Sequence, residues 1–190
     1  MGTKNLDNFI NTLELNFPEI ISFKDKVVSF IIESNCYNIE FVEFNHTALG
    51  VTFHDGVFIN QKILNNEKLP MVLFVIYHEI VHQYQFKKYG KDRMYKCYLG
   101  NEDISESVDF IKKNEIVADK IAYSKIRQLI SDGYITTDFI VPRTPNEIST
   151  DRIKDLINQF KFQFMVNNIT TADGISKFMY NMIIKRNEKK

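Results

Sequence analysis

One segment constrains the fold more than any other. Residues 70–89 predict a long helix, because Pro70 suits the first turn of a helix and Gly90 suits the residue after its end. Most faces of this helix are apolar, so it has to lie inside the protein. It also carries the run His78-Glu79-Ile80-Val81-His82. Burying these polar side chains is costly unless they have partners, so the rest of the chain must supply those partners.

The spacing within this HExxH run predicts a metal site. Residues four apart lie on one face of a helix, so His78 and His82 can bind the same ion. Glu79 is rotated from His78 by about 100° and can face a water on the metal instead of the metal itself. Zinc suits imidazole ligands and leaves a position open for water. We therefore expect one Zn²⁺ per chain, with Glu79 as the catalytic base.

The third protein ligand of a catalytic zinc site must come from elsewhere in the chain. An HExxHxxGxxH pattern would place a third histidine at position 88, which is Lys88, and Gln85 stands where the glycine would be. No histidine follows His82. The candidates are therefore acids further along the chain: Glu115, with Glu102, Asp103, Glu106 and Asp109 as competitors.

A second motif lies on a helix predicted over residues 105–131. Its sequence, Asn114-Glu115-Ile116-Val117-Ala118-Asp119, resembles the NExxxD motif of the gluzincins, the thermolysin-like clan of zinc peptidases. The resemblance implies that Glu115 is the third zinc ligand and that Asp119 orients a ligand histidine through its free ring N–H. Helix geometry agrees, because one face carries Glu115, Ala118, Asp119 and Ala122, and the alanines allow close approach. The alternative is a solvated acidic face among neighbouring lysines.

The remaining pattern predicts a single α+β domain over residues 1–190. Residues 1–90 would hold helices, sheet and HExxH helix, and residues 91–190 the glutamate helix and C-terminal helices. The predicted elements are helices at 6–15 and 18–34, three antiparallel strands between 38 and 63, an irregular segment at 91–104, a connector at 136–148, and helices at 150–166 and 172–186. Asp55-Gly56 predicts a type I′ hairpin turn. We expect the small sheet to pack on the HExxH helix and its edge strand to pair with an extended substrate.

The order of elements between residues 38 and 131 is similar to that of minimal zincins, the SprT-like and ImmA/IrrE-like metallopeptidases. SprT-like proteins use a further downstream histidine, which this chain lacks, whereas ImmA/IrrE-like proteins use a downstream acid. The resemblance implies a zinc metalloendopeptidase. It also implies a group that holds the oxyanion, supplied in thermolysin-like enzymes by a Tyr and a His beyond the glutamate helix. The candidates for that role here are Tyr123, Tyr134, Arg143 and His54.

Composition excludes several other function classes. The 24 basic and 24 acidic residues cancel, so no electrostatic attraction to nucleic acid or to an anionic membrane is expected. Cys36 and Cys97 predict reduced thiols in a cytoplasmic protein, and no signal peptide or spanning segment is visible. The expected partner is a peptide or protein substrate. Two alternatives stay open: a catalytically silent zincin-fold binding module, and a regulatory protease with one protein target.

Overall fold

A computed structural model of the chain describes residues 2–99, 103–136 and 148–184. It has an α+β fold that is mostly helical. The elements, in chain order, are α1 (Gly2–Asn16), a 3-10 helix (Pro18–Ser22), α2 (Lys24–Glu33), β1 (Ile39–Val42), β2 (Gly50–Phe53), β3 (Gly56–Asn60), α3 (Ile63–Asn66), α4 (Leu69–Tyr89), α5 (Lys91–Leu99), α6 (Ile104–Ser131), α7 (Thr150–Val166) and α8 (Ala172–Ile183).

The sheet is mixed, which corrects the antiparallel prediction. Its strand order is β1-β3-β2, with β2 antiparallel and β1 parallel to the central strand β3. All residues of β3 are buried, so this strand takes the centre of the sheet and is covered on both sides. After β1 the chain passes to the far edge of the sheet, where it forms β2. The β2–β3 hairpin then places β3 between β1 and β2. This path leaves one edge of β2 without a strand partner in the part of the chain that the structure describes.

The hairpin forms, but its turn differs from the predicted one. Phe53 pairs with Gly56, so the two turn residues are His54 and Asp55. Neither has a positive φ, which excludes type I′. Gly56 is required for space: a Cβ there would lie 2.5 Å from the side-chain nitrogen of Asn38. That nitrogen donates a 2.7 Å hydrogen bond to the backbone oxygen of Asp55 and ties the turn to the start of β1.

Two helical predictions also need correction. The helix expected over residues 18–34 is divided at Phe23, whose buried ring lies between the 3-10 helix and α2. The segment expected to be irregular forms α5 instead, because tertiary packing buries Tyr95 and Cys97. Most of the predicted connector, residues 137–147 with Arg143, lies outside the described residues.

The main core surrounds α4, as its apolar sequence requires. The core residues come from α1, α2, β1, β3, α3, α4 and α6. Ala118 and Ala122 of α6 are fully buried, as the predicted close approach of α6 to α4 requires. A smaller core, containing Phe53 and Ile183, joins α8 to the other face of the sheet. No helix in the described ranges has the length and apolarity needed to cross a membrane.

Candidate metal centre

Two helices bring three metal-binding side chains together. The Nε2 atoms of His78 and His82 on α4 lie 2.9 Å apart. Glu115 on α6 places Oε1 3.2 Å from His82 Nε2 and Oε2 3.7 Å from His78 Nε2. A tetrahedral ion with bonds of about 2.0–2.1 Å separates its donors by about 3.3 Å, and the three distances lie on both sides of this value. The cluster could therefore hold a metal ion.

Asp119 lies beside Nδ1 of His78, the ring nitrogen that is not in the metal-binding cluster. His78 Nδ1 lies 2.9 Å from Asp119 Oδ1, and the Asp119 side chain is almost completely buried. An ionised carboxylate can only accept a proton, so the neutral His78 ring carries its hydrogen on Nδ1. Its Nε2 then has a free lone pair directed at the cluster. The structure thus places Asp119, one turn beyond Glu115, beside the His78 ring nitrogen that is not in the cluster.

His82 is oriented by Gln85, a residue that the sequence did not identify. Gln85 Nε2 donates a 2.9 Å hydrogen bond to the backbone oxygen of Asn114, which fixes the direction of the amide. Gln85 Oε1 therefore faces His82 Nδ1, at 2.7 Å, and accepts its proton. His82 Nε2 is left with a lone pair for a metal. The only signal in the sequence is that Gln85 replaces the glycine of the longer histidine motif.

The charge around His82 favours its protonated form when no metal is bound. Burial by itself lowers the pKa of His82, but the Glu115 carboxylate, with further contributions from Glu79 and Gln85, outweighs burial and raises the pKa to about 9. A metal ion binding at neutral pH therefore has to displace a proton from this ring.

Glu79 lies against the edge strand of the sheet and not among the three metal-binding groups. Thr52 Oγ1 on β2 lies 2.7 Å from Glu79 Oε2 and 2.8 Å from the Glu79 backbone oxygen. A hydroxyl has one proton to donate, and the charged carboxylate is the stronger acceptor. On the same strand, a Cβ at Gly50 would lie 2.6 Å from Glu79 Cγ and 2.9 Å from Oε1. Gly50 thus leaves the space for the Glu79 side chain, and Thr52 hydrogen-bonds to its carboxylate. Neither residue was identified from the sequence.

The predicted metal and catalytic residues share one cleft of about 510 Å³. Its walls include His78, Glu79, His82, Glu115 and Asp119, together with residues 48–52 leading into and along β2. None of the competing acids that the structure describes lines this cleft. Asp103 caps the start of α6 by accepting from the Ser105 N–H, Glu106 and Asp109 are absent from the walls, and Glu102 lies outside the described residues.

The structure does not bring the described oxyanion candidates to this cleft. Tyr123 lies eight residues beyond Glu115, which is about 12 Å along a helix, and its ring packs under Arg127. Tyr134 packs against Phe23. His54 occupies the hairpin turn, where its backbone N–H donates to the Tyr95 hydroxyl. None of the three lines the cleft, and Arg143 lies outside the described residues.

Three other polar residues of the described chain line the cleft, namely His46, Tyr95 and Asn114. The Tyr95 ring forms part of its wall, and burial raises the pKa of its hydroxyl. His46 lies in the segment before β2, and its Nδ1 accepts a 3.2 Å hydrogen bond from the Ala48 N–H. The neutral His46 ring therefore carries its proton on Nε2 and remains a hydrogen-bond donor.

Comparison of the chain with protein-family models, curated proteins and solved structures found no match in any of the three. Its function is therefore argued from the geometry of the cleft.

Proposed function

We propose that the protein is a zinc-dependent metallopeptidase with a zincin-type site, which hydrolyses peptide bonds with a metal-activated water. The observation that carries the proposal is the position of Glu79. Its carboxylate is held by Thr52 and lies in the same cleft as the donors of His78, His82 and Glu115, but outside the donor cluster itself. A site that only bound metal would not need a separate, oriented carboxylate beside it.

The donor set fits zinc. Two neutral imidazoles and one carboxylate are a ligand set of catalytic zinc sites, and three protein ligands leave the fourth position to water. The contacts behind the ligands support the same assignment, because Asp119 lies beside His78 Nδ1 and Gln85 beside His82 Nδ1, on the sides of the rings away from the Nε2 atoms. When bound, zinc would lower the pKa of its water and polarise the scissile carbonyl.

The protein's own residues then carry the proton steps. The Thr52 hydroxyl donates a hydrogen bond to Oε2 of Glu79. Oε1 is therefore the oxygen that takes the proton of the attacking water. Glu79 next gives this proton to the leaving amine, acting first as general base and then as general acid. His46 Nε2–H, on the cleft wall beside β2, is an uncharged side-chain group that can donate to a substrate.

An extended peptide fits the free edge of β2. Asn60 N donates to Leu49 O, so Leu49 belongs to a hydrogen-bonded pair with β3. Hydrogen-bonded and non-bonded pairs alternate along an antiparallel ladder, which turns the backbone groups of Gly50 and Thr52 outward. A substrate strand could pair with those groups while its scissile bond lies beside Glu79.

The experiment that tests the proposal compares wild type with Glu79→Gln and His82→Ala. Wild type and Glu79→Gln should both carry one zinc per chain, whereas His82→Ala should not. Only wild type should cleave peptides in a library read by mass spectrometry. The loss in Glu79→Gln should be at least about 100-fold, since general-base catalysis contributes about 10²–10⁴-fold. Equal cleavage by wild type and Glu79→Gln would contradict the proposal.

The two alternatives predict different results in the same assay. A silent binding module would capture one partner with wild type and Glu79→Gln alike, and neither would cleave it. A regulatory protease with one target would leave the peptide library and casein intact but cut a single protein in a host lysate. That cut would again require Glu79.

A further inference from the structure

The cleft walls are unusually rich in methionine. Four of the six methionines in the chain line this cleft, namely Met71, Met94, Met179 and Met182. Methionine side chains are unbranched and flexible, so they fill irregular gaps and adapt to apolar partners of different shape. The site is therefore suited to several apolar side chains and not to one rigid shape.

The C-terminal helices form an apolar wall of the cleft. Leu156 and Phe160 of α7 and Met179 and Met182 of α8 belong to this wall. Leu156 and Met182 are about two-fifths exposed there (41% and 40%), although they are large and apolar. Exposed apolar surface inside a concave site is typical of ligand-binding surfaces.

Charge is confined to the metal centre. The ionisable side chains in the described part of the cleft are those of the metal-binding cluster, Asp119, Glu79, His46 and Tyr95. No other acidic or basic side chain of the described residues lines it. A charged substrate side chain placed against the α7–α8 wall would lose its hydration without gaining an ion pair, which is costly. An apolar side chain would instead cover the exposed parts of Leu156 and Met182.

We propose that the cleft selects substrates with a large, uncharged apolar side chain, such as Leu, Met or Phe, next to the scissile bond, and that Met182 and Leu156 set this preference. The inference rests on the proposed function, because a scissile bond exists only if the protein is a peptidase. The binding preference itself can be measured without cleavage. The adaptable methionines tolerate exchange among Leu, Met and Phe, whereas Glu or Lys at that position is rejected.

The first measurement is cleavage of matched peptides that differ at one position, which is Phe, Leu, Ala, Glu or Lys. Wild type should cleave the Phe and Leu peptides with similar kcat/KM, and at least about 100-fold faster than the Glu and Lys peptides. Met182→Lys should reduce the ratio of Phe to Glu at least tenfold. Met165→Lys is the matched control, because Met165 is 67% exposed on α7 and does not line the cleft.

The second measurement is equilibrium binding of the same peptides, fluorescently labelled, to the non-cleaving Glu79→Gln variant. The Phe peptide should bind at least tenfold more tightly than the Glu peptide, and adding Met182→Lys should remove the difference. Leu156→Lys, on the other helix, repeats the test if Met182→Lys does not fold by circular dichroism.

The outcomes separate this inference from the proposed function. Apolar preference in binding with no cleavage by wild type would overturn the peptidase proposal and keep the inference. Cleavage without apolar preference, or a preference unchanged by both lysine variants, would overturn the inference and keep the peptidase proposal.

Discussion

The hydrogen bond between Thr52 and Glu79 provides a sharp test of how the base is positioned. Thr52→Val keeps the shape of the side chain and removes its hydroxyl, so Glu79 Oε2 loses its 2.7 Å partner. Hydrogen bonds to charged groups contribute about 1.5–3 kcal/mol, and each 1.36 kcal/mol is a factor of ten in rate. We therefore expect kcat to fall about 10–150-fold. The Glu79 backbone oxygen keeps its partner within α4, so the fold should be little affected.

The assay is steady-state cleavage of the best library peptide, with zinc content and thermal unfolding measured on the same samples. KM and zinc content should stay near the wild-type values, because Thr52 contacts no predicted metal ligand. Thr52→Ser keeps the hydroxyl and should recover most of the lost rate, which a purely packing role would not explain. An unchanged kcat in Thr52→Val, or a loss of zinc in proportion to the loss of rate, would refute the reasoning.

Three further predictions concern the metal and the thiols. Gln85→Met removes the partner of His82 Nδ1 and should weaken zinc binding about 10–100-fold in a chelator competition; unchanged affinity would mean that packing alone orients the ring. Because the pKa of His82 is raised to about 9 and its protonated ring cannot bind metal, zinc affinity should rise with pH from 7 and level off above 9; a flat profile over this range would contradict the assignment. Burial raises the pKa of the Cys36 thiol to about 12, so Cys36 and Cys97, which are buried and form no disulfide, should react with a thiol reagent at pH 8 only after unfolding, without prior reduction.

The two long helices follow from local sequence information. Apolar residues, Pro70 and Gly90 predict α4, and the structure ends the helix at Tyr89 with Gly90 at φ +78°. The predicted helix over residues 105–131 agrees with α6 to within a residue. Helix periodicity also puts His78 beside His82 within one turn, so two of the three members of the candidate metal cluster depend on local geometry alone.

Elements that depend on distant partners were predicted less well. The polar sequence of α5 contains no continuous apolar stripe, and it becomes a helix because Tyr95 and Cys97 are buried against other parts of the chain. The direction of β1 depends on β3 taking the centre of the sheet, which no residue within β1 indicates. The turn at His54 and Asp55 is shifted because Asn38, the residue before β1, bonds to it.

Local sequence patterns indicate which residue types form the candidate metal centre and on which helices they lie. HExxH and NExxxD are short-range patterns, and the helix turns each of them into a defined face. Packing between distant elements brings Glu115 to the two histidines, holds Glu79 against Thr52, fixes the Gln85 amide through Asn114, and keeps the described tyrosine candidates out of the cleft. The Glu115–His82, Thr52–Glu79 and Gln85–Asn114 contacts join residues about 30 positions apart, and they depend on how close two packed elements come, a distance that no periodicity within one element encodes.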